Sequence, residues 1–239
     1  MIKLITLLKR GPHLSRDGFA ERWLQIHAPK AAVFPGLRGY MLGFSVEPGE
    51  PAADGIAQLW FDSRAACQSS YASDIGREGS ADAKAHLARR DHLLASEHWR
   101  RSGDSPSESS CKLVVGAKRP VGTDRAGFVA WFRDEALTEF CNESGAGNVR
   151  VSLDEAGQML NSGTAGVLDL VEGEAVLDAM LELLFASDAE GREALARVRL
   201  DELPRLSAQV GHTETALLRE HVVVPPPPSA DGFPSGASP

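Results

Sequence analysis

The chain has 239 residues, of which 43% are hydrophobic and 24% charged, so it can bury a sizeable core and lacks the composition of a disordered protein. Its formal net charge is -8, so no nucleic-acid partner is expected. The three cysteines fit neither a disulfide framework nor a C-x-x-C zinc motif, and no signal peptide or membrane span is visible. These features predict a cytoplasmic globular protein with no membrane partner and no metal.

The first hundred residues predict an α+β unit. Residues 2–9 form a Leu- and Ile-rich run typical of a strand, and Ser15 is a suitable N-cap for the helix that follows. Pro29 is expected to help end that helix. The remaining elements are two strands, a helical stretch and a last strand, at 37–46, 56–62, 64–90 and 92–100.

Two stretches of low complexity suggest the domain boundaries. Residues 102–110 contain no apolar residue and are rich in Ser, which is typical of a solvated linker. Residues 225–239 open with four prolines and are predicted to form a disordered tail. The domains are therefore placed at 1–101 and 111–224.

The second domain repeats landmarks of the first at a fixed offset of 109 residues. The matching residues are Lys3-Leu4 with Lys112-Leu113, Lys9-Arg10 with Lys118-Arg119, and Phe19 with Phe128. Glu97-His98 resembles Glu220-His221 at an offset of 123, which indicates a net insertion of 14 residues, assigned to the long helical stretch of the second half.

The second half shows the same order of predicted elements as the first. Its strands are predicted at 112–118, 149–153, 166–171 and 214–224, with helices from Thr123 and over 174–210. Both halves therefore read βαββαβ, the ferredoxin-like order, in which a four-stranded sheet carries its helices on one face. Two such sheets in one chain can cover each other.

His27 is the leading candidate for chemistry. Phe19, Trp23 and His27 recur every four residues and so share one helix face, which directs the imidazole at the sheet. Imidazole exchanges protons near neutral pH and can act as a general acid or base. The alternative is a structural histidine bonded to a backbone carbonyl.

Other residues of the first half could complete a site with His27. Trp23, Tyr40 and Trp60 could line an aromatic pocket, with the Tyr40 hydroxyl as a donor, or could simply be core residues. His92 could face the same cavity, and Asp91 could orient a histidine. His86 belongs to a basic run that predicts a solvated helix face, and Tyr71 is also expected at a helix surface.

Several stretches of the first half resemble the EthD family. They are 3–10, 15–19, Trp23, His27-Ala28-Pro29, 35–40 and 59–63. The resemblance implies a dimeric α+β barrel, here a fused pseudo-dimer with two sheets packed face to face. Ala136 replaces His27 in the second half, so the site is expected in the first half and the degenerate second copy is expected to complete the barrel.

The resemblance also frames the functional hypotheses. Relatives in the superfamily imply a lyase, isomerase or cyclase that uses His27 on a small aromatic, lactone or polyketide-like substrate, without a cofactor. One alternative is a non-catalytic ligand-binding or accessory protein of an oxidative degradation pathway. Another is haem binding through a histidine. The pseudo-dimer predicts a stable monomer and leaves a homodimer of fused chains open.

Overall fold

The computed structural model describes residues 1–101, 111–144, 146, 148–162, 168–172, 176–198 and 208–227. In the first half, the strands are β1 Ile2–Arg10, β2 Leu37–Ser45, β3 Gly55–Phe61 and β4 Leu87–Arg101. Its helices are α1 Arg16–Arg22, α2 Ala28–Ala32, α3 Arg64–Ala72 and α4 Asp74–His86, and a π-helical segment, Trp23–His27, joins the first two.

The second half contains six strands and three helices among its described residues. The strands are β5 Cys111–Lys118, β6 Asn148–Leu153, β7 Gln158–Ser162, β8 Leu168–Glu172, β9 Ala179–Phe185 and β10 His212–Val224. The helices are α5 Arg125–Trp131, α6 Leu137–Ser144 and α7 Asp188–Arg197, with a π-helical segment, Phe132–Ala136, between the first two.

Eight strands close into one antiparallel barrel in the order β1-β3-β2-β10-β5-β9-β6-β4. Two seams, β2 with β10 and β4 with β6, join the halves. Between these seams, the four barrel strands of each half lie in the same order. The order is β4-β1-β3-β2 in the first half and β10-β5-β9-β6 in the second. The prediction of a mixed α+β fold in which the two halves complete one barrel is confirmed.

Side chains alternate between the inside of the barrel and the helices outside it. On β1, Leu4 and Leu8 pack in the core beneath the helices of the first half, whereas Ile5 and Leu7 belong to the core inside the barrel. The second half has its own core beneath α5 and α6. Closure pairs both sides of every barrel strand, so the barrel has no free sheet edge.

The structure corrects the interpretation of the inserted segment. Strand β9 lies inside the stretch 174–210 that was predicted to be helical, because its Ala, Leu and Glu residues favour helices. Every residue of β9 is buried, and a strand covered on both faces lacks the alternation that distinguishes it. The strand predicted at 166–171 overlaps β8, which pairs with β7 in a separate hairpin. The insertion therefore contains this hairpin, between β6 and β9.

The expectation for Pro29 is also wrong. The helical path continues to Ala32, because Pro29 lies in the first turn of α2, where its missing N–H costs little. The π-helical segment before it is not produced by the proline. The second half has the same segment at the same place, with Thr138 at the position of Pro29.

Charged side chains occupy the inside of the barrel beside its apolar core. Lys3 and Lys112 are buried, and both bind the carboxylate of Glu182, whose exposure is 0%. Lys3 also binds Glu97 at 2.5 Å, and Lys112 binds Glu220. We call these five residues the interior ion cluster. Its two lysines are the landmarks that the repeat places at equivalent positions of β1 and β5.

The remaining sequence-based expectations concern the linker, the tail, membrane spans and the cysteines. The linker at 102–110 lies outside the described residues, and so does the tail from 228 to 239. No helix in the described ranges is long and apolar enough to cross a membrane. Cys67 and Cys111 are buried free thiols.

Candidate functional site

The first helix brings His27 beneath the sheet as predicted. Helix α1 begins after Ser15, whose hydroxyl accepts a hydrogen bond from the Gly18 N–H at 3.0 Å. Phe19, Trp23 and His27 are all buried on one side of the helical path. Their ring centroids are 5.6 Å apart for the first pair and 4.2 Å apart for the second.

The turn that carries His27 is π-helical. The Ala28 N–H bonds to the carbonyl of Trp23, five residues earlier, and such wide turns are often found at functional sites. The second half repeats the turn with a bond from the Leu137 N–H to the carbonyl of Phe132. There Ala136 stands at the position of His27, so the backbone geometry occurs twice and the imidazole once.

The carboxylate of Asp82, on α4, orients the His27 ring. Asp82 Oδ2 is 3.0 Å from His27 Nδ1. Because a carboxylate only accepts hydrogen bonds, Nδ1 carries the proton and Nε2 holds the lone pair. A ring held in this tautomer by an acid is the arrangement that general bases use in hydrolases.

Asp82 uses its two oxygens for different partners. Oδ1 accepts from Arg22 at 3.0 Å and from Lys30 at 3.3 Å. Oδ2 faces His27 and, at 3.9 Å, Nδ1 of His86. Among the described residues, these two imidazoles and this carboxylate form a group that could hold a metal ion, which the sequence analysis did not predict. A divalent ion would meet the positive charges of Arg22 and Lys30 there.

A small cavity lies between these helices and the sheet. Its polar wall includes Thr6, His27, Tyr40, Tyr71, Arg90 and His92, and its apolar wall includes Leu8, Phe34 and Leu59. The volume is about 30 Å³, room for about two water molecules. Drug-sized ligands fill roughly 300 to 1,000 Å³, so a ligand larger than a few atoms enters only when wall side chains move.

Three more of the predicted site residues line this cavity. The Tyr40 hydroxyl accepts a hydrogen bond from the Trp23 indole N–H at 3.1 Å and keeps its own hydrogen to donate. His92 lies on β4, and its Nδ1 is 2.9 Å from the hydroxyl oxygen of Thr6. Its Nε2 is buried and has no hydrogen-bond partner. The structure thus brings Trp23, His27, Tyr40 and His92 together.

Trp60 is not part of this cavity. Neighbouring side chains on a strand point to opposite faces, and Leu59 of β3 lines the cavity. Trp60 therefore faces the inside of the barrel, where Lys3 Nζ lies 5.0 Å from its ring centroid. Its contact is with the interior ion cluster on the other side of the sheet.

The expectations for Asp91, His86 and Tyr71 also need correction. Asp91 precedes His92 on β4 and so faces away from it, where it binds Arg89 at 2.7 Å. His86 was expected on a solvated face but is only 2% exposed, with its ring 5.4 Å from that of Trp23. Tyr71 is buried and lines the cavity.

Sequence reasoning missed two charged residues of the site. Asp82 lies four residues before His86, so the two share one face of α4, and this i, i+4 pair was the available signal. Arg90 precedes His92 by two residues and faces the same side of β4. A strand boundary at Leu87 instead of His92 would have predicted that shared face.

Burial keeps the cavity histidines neutral. It lowers the pKa of His27 to about 4, against the opposing effect of Asp82. Burial and then the charge of Arg90 lower the pKa of His92 to about 3. Although burial opposes it, hydrogen bonds from His27 and Lys30 hold the pKa of Asp82 below its usual range. Burial raises the pKa of Tyr40, which therefore remains a donor.

The lowered pKa of His27 predicts acid sensitivity. Between pH 6.5 and about 4 the unfolded chain binds a proton at this ring and the folded chain does not, so stability falls as pH falls. The expected loss is about 1.4 kcal/mol per pH unit for this one ring. Urea unfolding at pH 6.5 and 5.0 should show a smaller loss for His27→Gln than for the wild type. Equal losses in the two proteins would contradict the prediction.

Most of the residues that line this cavity lie in a range that resembles a known domain. Residues 11–90 match the model of the EthD domain. The matched range lies within the first half of the chain. The matched range of the EthD domain includes His27, Tyr40, Asp82 and Arg90, and it ends two residues before His92. A search of curated proteins found no match.

Solved structures show a similar fold over most of the chain. An anthrone oxidase-like protein matches with a TM-score of 0.64 at 9% identity, covering 93% of this chain and 93% of that chain. An EthD family protein from Bacillus halodurans C-125 is 25% identical, with a TM-score of 0.35, and covers 41% of this chain and 99% of that chain. The likeness to the first extends over both the EthD domain and the second half.

Haem, the cofactor considered from the sequence, does not fit the cavity. His27 and His92 line a space of about 30 Å³, which is far smaller than a porphyrin.

Proposed function

We propose that the chain is a cofactor-free enzyme of the lyase, isomerase or cyclase type, in which His27 is the general acid and base. The observation that carries the proposal is the Asp82–His27 pair at the cavity wall, with 3.0 Å between the carboxylate and Nδ1. A neutral ring whose Nε2 holds a lone pair can take a proton from a substrate carbon or hydroxyl. The same nitrogen can return that proton at another atom.

The wall suits a small apolar compound that carries oxygen atoms. Leu8, Phe34 and Leu59 supply apolar contacts, and the Tyr40 hydroxyl can donate to a carbonyl or enolate oxygen. The rings of Phe34 and Tyr71 meet edge to face, with centroids 5.1 Å apart. Rotation of these two side chains widens the cavity for an aromatic, lactone or polyketide-like ring.

The second half completes the barrel and has Ala136 at the position of His27. We infer that the chain is a fused pair of ferredoxin-like units, because the strand order, the π-helical turn and the lysines of the interior ion cluster recur at equivalent places. Such a pair satisfies both sheets within one chain. The active protein is therefore proposed to be a monomer. Sedimentation of the full chain measures this oligomeric state.

The function is tested by screening aromatic, lactone and polyketide-like compounds with wild type and His27→Gln. Glutamine can keep a hydrogen bond to Asp82 but cannot shuttle a proton. We expect some compounds to raise the melting temperature of both proteins, since ligand binding stabilises the folded state. Mass spectrometry should show conversion by the wild type alone.

Two other results of the screen have defined meanings. Conversion by His27→Gln at the wild-type rate would overturn the proposed mechanism. Compounds that bind both proteins and are recovered unchanged would assign the chain to the alternative class, a ligand-binding or accessory protein. The cavity would then serve for binding, with His27 as a structural group.

A further inference from the structure

An arginine in the cavity lacks a partner for its charge. Arg90 lies opposite Leu8 in the pairing of β4 with β1 and lines the cavity with His27 and His92. Its Nη2 atom is buried and makes no hydrogen bond. A buried donor of a charged group without a partner is costly, so such a group points to something that the protein itself does not supply.

The carboxylates near the cavity are already engaged elsewhere. Asp82 is the acid of the cavity region, and its two oxygens face Arg22, Lys30 and His27. Asp91 points to the other side of β4 and binds Arg89. Across the part of the chain that the structure describes, Arg90 forms no ion pair.

The charge of Arg90 reaches the histidines on both sides of it. It contributes to the lowered pKa of His27 and of His92. Both imidazoles are therefore neutral at pH 7, and the cation of Arg90 leaves the cavity with a net positive charge. The arrangement disfavours a cationic ligand and favours an anionic one.

We propose that Arg90 is the binding residue for a carboxylate group of the ligand, so that this cavity selects organic acids. The guanidinium presents two parallel N–H groups that match the two oxygens of a carboxylate. The apolar wall formed by Phe34 and Leu59 would then receive the hydrocarbon part of the ligand. The choice of this cavity rests on the proposed function, but the test below measures binding and needs no turnover.

The test compares acids with their neutral amides. Acetate, benzoate and 2-naphthoate are titrated by calorimetry into the full chain, each beside the corresponding amide. We expect at least one acid to bind the wild type at least tenfold more tightly than its amide. Arg90→Gln should lose this preference. Arg89→Gln should keep it, because Arg89 lies on the same strand and faces the other side of the sheet.

A second measurement separates ligand binding from a structural role. If Arg90 has no partner in the free protein, then Arg90→Met should unfold at a higher urea concentration than the wild type. A residue that is kept for binding often lowers the stability of the free protein. A structural arginine would give the opposite shift. The proposal is overturned if no acid binds better than its amide, if Arg90→Gln keeps the preference, or if Arg90→Met is less stable than the wild type. Retained conversion by His27→Gln would instead affect only the proposed mechanism.

Discussion

Glu182→Gln is expected to lower the free energy of unfolding by about 3 to 5 kcal/mol, which is typical when one partner is removed from a buried ion pair. Glu182 is 0% exposed and binds the ammonium groups of Lys3 and Lys112. Although burial opposes it, Lys112 and Lys3 hold the pKa of this carboxyl well below its usual range. The variant leaves two buried cations without their shared anion.

The repeat supplies a matched control for this prediction. Gln58 of β3 occupies the position that corresponds to Glu182 of β9, because Ile5 pairs with Gln58 as Val114 pairs with Glu182. Lys112 Nζ already contacts the Gln58 amide oxygen at 3.2 Å. The double variant Glu182→Gln with Gln58→Glu moves the carboxylate across the pseudo-twofold axis. It should recover part of the lost stability.

Equilibrium unfolding in urea measures both variants against the wild type. A loss below about 1 kcal/mol for Glu182→Gln, the usual size for an exposed pair, would show that the interior ion cluster does not hold the barrel together. A double variant no more stable than Glu182→Gln would show that Gln58 and Glu182 are not equivalent. We ascribe the stability that the double variant does not recover to Arg150, which pairs with Glu182 between β6 and β9.

The repeat in the sequence predicted two equivalent halves because it follows backbone order, and the resemblance to the EthD family implied that these halves form one barrel. Lys3 and Lys112 mark equivalent strands, and their spacing alone places β1 and β5 in equivalent positions of the two halves. The repeat could not show that both lysines face the inside of the barrel. That direction depends on which face of each sheet the other sheet covers, and the alternation of Lys3, Ile5 and Leu7 with Leu4 and Leu8 allows either choice.

Only part of the candidate site could be predicted. His27, Trp23, Tyr40 and His92 were identified because helix periodicity and strand position are local properties of the sequence. Asp82 is 55 residues from His27 along the chain, and the packing of α4 against the π-helical turn brings them together.

Trp60 and β9 show the opposite limit of sequence reasoning. Trp60 was assigned to the pocket by residue type, and a strand places neighbouring side chains on opposite faces. For β9, burial of both faces removed the pattern that separates a strand from a helix. Tertiary contacts outweighed local propensity at this strand.

Asp82→Asn is expected to reduce kcat about 10²- to 10⁴-fold for the compound that the wild type converts. An asparagine can donate from its amide to His27 Nδ1, which moves the ring proton to Nε2 and removes the lone pair from the cavity. The substrate itself does not contact Asp82 in this scheme. KM should therefore change much less than kcat.

The pH dependence distinguishes this positioning role from loss of structure. The Asp82 carboxylate raises the pKa of His27 against the effect of burial. Removing the carboxylate should lower that pKa below its value of about 4, so the acid limb of the rate profile should shift to lower pH. Nitrogen-15 NMR of the imidazole reports the same change and the tautomer without any substrate.

Glu78→Gln is the matched control for Asp82→Asn. Glu78 lies one turn earlier on α4 and contacts Lys30 at 3.5 Å, as Asp82 does at 3.3 Å, and its side chain is 70% exposed. A variant that affects only the partners of Lys30 should leave kcat and the His27 tautomer unchanged. If Glu78→Gln lowered kcat as much as Asp82→Asn, or if Asp82→Asn kept the tautomer and rate of the wild type, the Asp82–His27 contact would be structural. The expected separation of the two variants follows from a single 3.0 Å contact that Asp82 makes with His27.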